Sequence, residues 1–172
     1  MNSLRLAALE PEDLDLLYTI ENDGEMWSIG NTNVPYSRYA LRDYIANQQF
    51  DIFTDKQVRL VIRVGEPGDT AEKAVGLIDL FNFSPEHSRA EMGLAVLKEE
   101  QGKGYATEAI GLLADYALNV VHLHQIYCIV PADNKPSLAM LRNNGFTNEQ
   151  VLKDWTRRGE DYADAILLQK FL

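Results

Sequence analysis

From Val58 to Val96 the chain writes three runs of β-branched and apolar residues, Val58–Val64, Ala74–Phe83 and Arg89–Val96. Only short segments rich in turn residues separate them, Gly65-Glu-Pro-Gly-Asp69 and Ser84-Pro-Glu-His87. Runs of this length bounded by Gly, Pro and Asp read as strands. Connections this short cannot hold a crossover, so successive strands must run antiparallel. The middle of the chain is therefore a meander. Beyond it the period changes, because Tyr105, Ala109, Ile110, Leu113, Tyr116, Ala117 and Val120 recur at helical spacing.

The flanks complete the pattern. Leu4–Leu9 reads as a short strand, and Glu10-Pro-Glu-Asp13 opens a helix carrying Leu14, Leu17 and Tyr18 that ends near Asn22–Gly24. Residues 24–36 form a loop, after which Ser37 caps a helix that turns Tyr39, Ala40, Leu41, Tyr44 and Ile45 toward the core. A strand at Gln125–Val130 is followed by a helix from about Asn134 to Asn144, closed by Gly145. Two last strands, near 146–155 and 162–171, flank an Arg158-Gly-Glu-Asp161 turn. The expected architecture is one α/β domain over residues 1–172. Its sheet is mixed and mostly antiparallel, with six to seven strands and about four helices.

Composition narrows the function. The 26 acidic against 16 basic residues leave a net charge of −10. That field repels a nucleic-acid backbone and favours cationic partners. A single cysteine, Cys128, excludes an internal disulfide. No uncharged apolar run approaches the roughly 20 residues of a membrane helix, and no leader pattern opens the chain. A cytoplasmic protein without membrane or nucleic-acid partners is expected. His87, His122 and His124 show no zinc-ligand spacing with cysteine, so no metal site is expected.

The segment that carries chemistry is Gln101-Gly-Lys-Gly-Tyr-Ala106, between a strand and the long helix. The first N–H groups of a helix lack internal partners and sit at the positive end of its dipole. Two glycines clear side chains from that end, which suits a phosphate or pyrophosphate. A tight turn with no ligand would look the same. The P-loop is excluded, since no lysine is followed by Ser or Thr here.

Gln101-x-x-Gly104-x-Ala106 resembles the Gln/Arg-x-x-Gly-x-Gly/Ala signature of the GNAT superfamily of N-acetyltransferases. Arg89-Ala-Glu-Met-Gly93 is similar to that family's Ala-Glu-x-Gly strand. Asp133-Asn134 and Gly145-Phe146 are similar to its Asn…Gly-Phe helix segment. The resemblance runs from Leu4 to the last strand, and is nearest to polyamine (spermidine-type) and ribosomal-protein N-terminal acetyltransferases. It implies a sheet splayed at the strand pair that holds coenzyme A, with acetyl-coenzyme A as co-substrate and an amine as acceptor. Backbone amides of Gln101, Gly102, Lys103, Gly104, Tyr105 and Ala106 would receive the pyrophosphate. Strand positions Leu94 and Val96 would line the pantetheine arm, with a backbone N–H near Leu94 polarising the carbonyl. Asn134 would contact the coenzyme, cap its own helix, or do both.

For the general base the resemblance points to Glu91; its bland alternative is a solvent-facing glutamate paired with Arg89. The general acid departs from a common pattern, because the tyrosine seven residues after the helix asparagine is Leu141 here. Ser137 stands where ribosomal-protein acetyltransferases carry a serine proposed as acid, and Tyr36 or Tyr39 are further options. Acceptor-side candidates are Glu21, Glu25, Trp27, Tyr36 and Asp79, with Asp23 beside them. Carboxylates and aromatic faces suit ammonium groups. The acceptor is a polyamine, a basic peptide's α-amine or another small amine. A homodimer is common among relatives. A binding module that senses acetyl-coenzyme A or polyamine without catalysis is the rival class.

Overall fold

A computed structural model describes residues 3–24 and 34–172. Seven strands form one sheet: β1 (Leu4–Ala8), β2 (Val58–Val64), β3 (Lys73–Ser84), β4 (Arg89–Val96), β5 (Gln125–Pro131), β6 (Asn148–Arg158) and β7 (Asp161–Phe171). Their spatial order is β1-β2-β3-β4-β5-β7-β6. Only β4 and β5 pair in parallel; every other neighbour is antiparallel. The meander expected from β2 to β4 is present.

Among the described residues five α-helices flank the sheet: α1 (Leu14–Glu21), α2 (Arg38–Ala46), α3 (Ile52–Asp55), α4 (Tyr105–Asn119) and α5 (Lys135–Asn143). Helices α4 and α5 pack on one face over Ile78, Leu80, Ala90, Met92 and Ile126. On the other face α1 and α2 pack Leu17, Ile20, Leu41 and Ile45 over Val61 and Leu77. Strand alternation serves both cores: Ala90 and Met92 point to the first, whereas Ala95 packs with the second. No helix among the described residues is long and apolar enough to cross a membrane.

Local chemistry explains the ends. The Ser37 hydroxyl accepts from Ala40 N at 3.0 Å and starts α2. Gly145, at φ +85°, ends α5 in the left-handed region and lets Phe146 drop into the core. Asp13 is buried and its carboxylate receives Arg63 at 2.7 Å, which ties the segment before α1 to β2.

Three expectations need correction. Tyr39 and Ala40 face solvent on α2, so its buried stripe is reduced to Leu41 and Ile45 with Tyr44 beside them. Val120 is exposed because α4 ends before it and a left-handed His122 turns the chain away. The short α3 was not expected; Asp51 caps it through Phe53 N at 3.1 Å, a local bond with no long-range apolar period.

Phe146 is fully buried. Phe146→Ala is expected to lower unfolding stability by about 3–5 kcal/mol, read as a reduced urea midpoint at unchanged slope.

Candidate active site

Strand β4 leaves the sheet at Val96 and passes through a 3₁₀ turn, Lys98–Glu100, into the glycine turn. Gly102 and Gly104 stand at φ +76° and +86°, where a side chain would be strained. Gly104 is the N-cap of α4 and receives no side-chain cap. The N–H groups of residues 102–107 meet no acceptor among the described residues, and the first bond of the helix is Glu108 N to Gly104 O, 3.2 Å. A Cβ built on either glycine would find open space. The two glycines therefore clear room in front of the helix tip rather than allowing close packing behind it.

The tip opens onto a split in the sheet. Strands β4 and β5 pair only at Arg89, Ala90 and Glu91 opposite Gln125, Ile126 and Tyr127. Beyond that rung β4 stays with β3 as far as Val96, and β5 stays with β7 as far as Pro131. The strands thus part as expected. A cavity of about 420 Å³ lies against the tip, lined by Gly102, Gly104, Tyr105, Ala106 and Thr107 with Leu94 and Val96. A second, about 530 Å³, carries the space on toward Thr19, Ile20 and Asp23 at the end of α1. Leu94, Val96, Gln101, Pro136 and Ser137 line both, so the two form one groove from the helix tip to α1.

Side chains around the turn have definite tasks. The Gln101 amide donates to Val96 O at 3.0 Å and staples the turn to the end of β4. The buried Glu100 carboxylate accepts from Lys73 Nζ at 2.8 Å and Lys103 Nζ at 2.9 Å. These bonds hold its pKa below the usual carboxylate range. The Lys103 ammonium is thereby committed to Glu100. Asn134 accepts Ser137 N at 3.3 Å as the N-cap of α5 and also lines the groove.

The carboxylates separate into two kinds. Glu21 and Asp79 both bind Arg59, Glu21 at 2.5 Å and Asp79 at 2.7 Å, so the acceptor-side candidates are held by the chain's own guanidinium. Burial raises the Asp79 pKa against the pull of Arg59. Glu91 makes no ion pair with Arg89. Its Oε2 accepts from Asn82 at 2.9 Å, and Tyr127 stands opposite it across the last β4–β5 rung. Desolvation raises the Glu91 pKa, opposed by bonds from Asn82 and Tyr127. Glu91 sits where the strands begin to part and does not line either cavity.

Tyr36 is fixed at its backbone, where its N–H donates to Asn22 Oδ1 at 2.8 Å, and its side chain packs with the α1–α2 core. It lines neither cavity. Glu25 and Trp27 lie outside the described residues. Sequence reasoning missed Thr19, Pro136 and Met140 in the groove, and Asn82 and Tyr127 beside Glu91. The Asn134 cap with proline two residues on placed the start of α5, which could have indicated Pro136 and, one turn later, Met140. Asn82 had no such signal.

Residues 3–147 match the model of the acetyltransferase (GNAT) domain. A spermidine N(1)-acetyltransferase of Vibrio cholerae serotype O1 is 29% identical over 177 residues, covering 100% of this chain and 98% of the relative. A crystal structure of a Vibrio cholerae spermidine N-acetyltransferase in complex with CoA and spermine superposes with a TM-score of 0.81 at 25% identity, covering 98% of this chain and 95% of that one. A dodecameric structure of the Vibrio cholerae enzyme matches at TM-score 0.78 and 25% identity, over 98% and 93% of the two chains. The chain belongs to the GNAT acetyltransferase family. It is an acetyl-coenzyme A-dependent N-acyltransferase, and the bare helix tip and split sheet fit that co-substrate.

Gly104→Asp is expected to weaken coenzyme A binding by about tenfold or more in calorimetry, since it sets a carboxylate at the tip and strains the left-handed backbone. Gly111→Asp, on α4 with open space around its Cβ, should leave that affinity unchanged.

Proposed function

We propose that this chain acetylates a primary amine of a polyamine such as spermidine. The observation that carries the reading is the uncapped tip of α4 opening into a groove between parted strands, on a chain whose relatives over nearly its whole length include spermidine acetyltransferases. The whole chain acts as one acetyltransferase domain, because β6 and β7 beyond the family match continue the same sheet. A cytoplasmic location accords with a co-substrate held inside the cell.

Acetyl-coenzyme A supplies an activated thioester. The protein's residues divide the remaining work. N–H groups of residues 102–107 bind the pyrophosphate, and the parted edge of β4 at Leu94 and Val96 aligns the pantetheine arm as an added strand would lie. Glu91 takes the ammonium proton through water, which leaves a neutral amine to attack. Ser137, on the groove wall one turn into α5, faces the departing sulfur and donates or relays a proton to it. At the acceptor end Thr19 and Asp23 line the wall, with Asp23 ion-paired to Lys98 at 3.4 Å. Glu21 and Asp79 act on the acceptor through the Arg59 cluster. A homo-oligomer is the expected assembly in this reading.

A second reading, transfer to a protein N-terminal α-amine, is favoured by Ser137 in the groove, with the buried Leu141 where many relatives carry a tyrosine. An amine panel distinguishes the two. Free thiol release with spermidine and spermine, and none with N-terminal peptides, is expected. The reverse pattern would select the peptide reading, and coenzyme binding without any thiol release would select the sensor.

The base assignment has its own test. A base must be ionised to work, and kcat/KM should fall as pH drops through the raised Glu91 pKa. Glu91→Gln should remove that acid limb, lower kcat on the order of a hundredfold and move the optimum upward, where the amine deprotonates without help. Coenzyme affinity should not change.

A further inference from the structure

The β3 strand breaks its own alternation beside Glu91. Ile78 and Leu80 point into the core under α4, so an unbroken strand would send residue 82 there as well. Instead Phe83 enters that core, and Asn82 reaches Glu91 on the opposite face. The cause is a bulge between Phe81 and Ser84, where Asn82 takes φ +48°. Asparagine tolerates the left-handed region better than other non-glycine residues, yet the conformation still carries strain. Two contacts maintain it: Phe83 stacks edge-on against Phe53, centroids 5.2 Å apart, and Phe83 N donates to Lys56 O at 3.3 Å. Bulges that re-aim one side chain are concentrated next to active sites.

We propose that Asn82 is a positioning residue, delivered by this bulge to hold the Glu91 carboxylate facing the parting of β4 and β5. The proposal rests on the reading of Glu91 as general base. A carboxylate held by a neutral amide keeps its orientation without the cation that would make it a poor proton acceptor. The surroundings of Glu91 support that. From β3 it faces Asn82 and Phe81, with Asp79 farther along the strand and already bound to Arg59. From β5 it faces Tyr127, with the buried Cys128 thiol next along. Its own strand contributes Arg89, which makes no bond to it. Asn82 donates to the charged form, so its loss should raise the proton affinity of Glu91.

The test is Asn82→Gly, because glycine accepts φ +48° without strain and the bulge should persist. Expected are an unchanged or higher Tm, unchanged coenzyme affinity and amine KM, kcat lower on the order of tenfold, and an acid limb moved to higher pH. Tyr127→Phe should move the limb the same way. In a Glu91→Gln background Asn82→Gly should have no further effect on rate. If Asn82→Gly leaves kcat and the acid limb as in the parent while Glu91→Gln abolishes the limb, the positioning role falls and the base stands. If Glu91→Gln itself keeps the limb, both fall. A collapse of Tm in Asn82→Gly would show that the amide serves the fold, and would overturn the proposal.

Discussion

Everything functional in this molecule follows from the divorce of β4 and β5 after three rungs. Each strand remains fully paired on its other side, β4 to β3 and β5 to β7, so the sheet behaves as two halves joined at Arg89–Glu91. Past that hinge, backbone groups of the two inner edges face a gap, and such groups need partners when water is displaced. An extended, amide-bearing ligand can supply them, as an added strand does. The crossover between the two strands is α4, which starts at the mouth of the gap. Its bare N-terminus therefore points at whatever fills the split. One topological feature sets both the slot and the charge that reads the ligand's far end.

Electrostatics reinforce this division. A chain of net charge −10 needs a local reversal of sign to hold a pyrophosphate. The reversal comes from oriented N–H groups and from Lys73 and Lys103 around one glutamate, a cluster with one positive charge in excess. Elsewhere the well-packed carboxylates are matched to guanidinium groups: Asp13 to Arg63, Asp79 and Glu21 to Arg59. Glu91 is bound differently, by an amide and a phenol rather than by a guanidinium. Desolvation raises its pKa as burial raises that of Asp79, but Asp79 is tied to Arg59 whereas Glu91 forms no ion pair.

Much of this was legible in the residues. Strand runs 58–64, 74–83 and 89–96, the helical period from 105 and the Gly145 stop all appear as local patterns, and the structure keeps them nearly to the residue. The glycine turn was equally local, but a merely tight turn reads the same in sequence, and only the open space around both glycines separates the two. What escaped was set by tertiary context. Tyr39 looked like a core residue because its spacing fits the α2 stripe, but Tyr39 and Ala40 both fall outside the buried part of that stripe. The tie of Asp79 and Glu21 to Arg59 escaped because it joins side chains distant in sequence, from β3, α1 and β2. Asn82 escaped because a bulge inverts the parity from which a side chain's face is inferred, and no residue type announces a bulge as glycine announces a turn.

The missing tyrosine matters less than the base, on the energetics of the two protons involved. An alkyl ammonium with a pKa near that of lysine, about 10.4, is neutral at pH 7 in only roughly one molecule in 2500, a penalty of about 4.6 kcal/mol. A departing thiolate, with a pKa near the 8.5 of free cysteine, is held back by only about 2 kcal/mol at the same pH. Removing the first proton is therefore the harder task by about 2–3 kcal/mol, and the structure is elaborated accordingly. Around Glu91 it spends a strained asparagine, a cross-strand tyrosine and partial desolvation. On the sulfur side Leu141 is turned into the core and a serine stands at the groove wall. A weak acid suffices where the leaving group is already a stable anion, so under the proposed roles a serine can stand in for the tyrosine, whereas an equally poor base would leave the larger barrier in place.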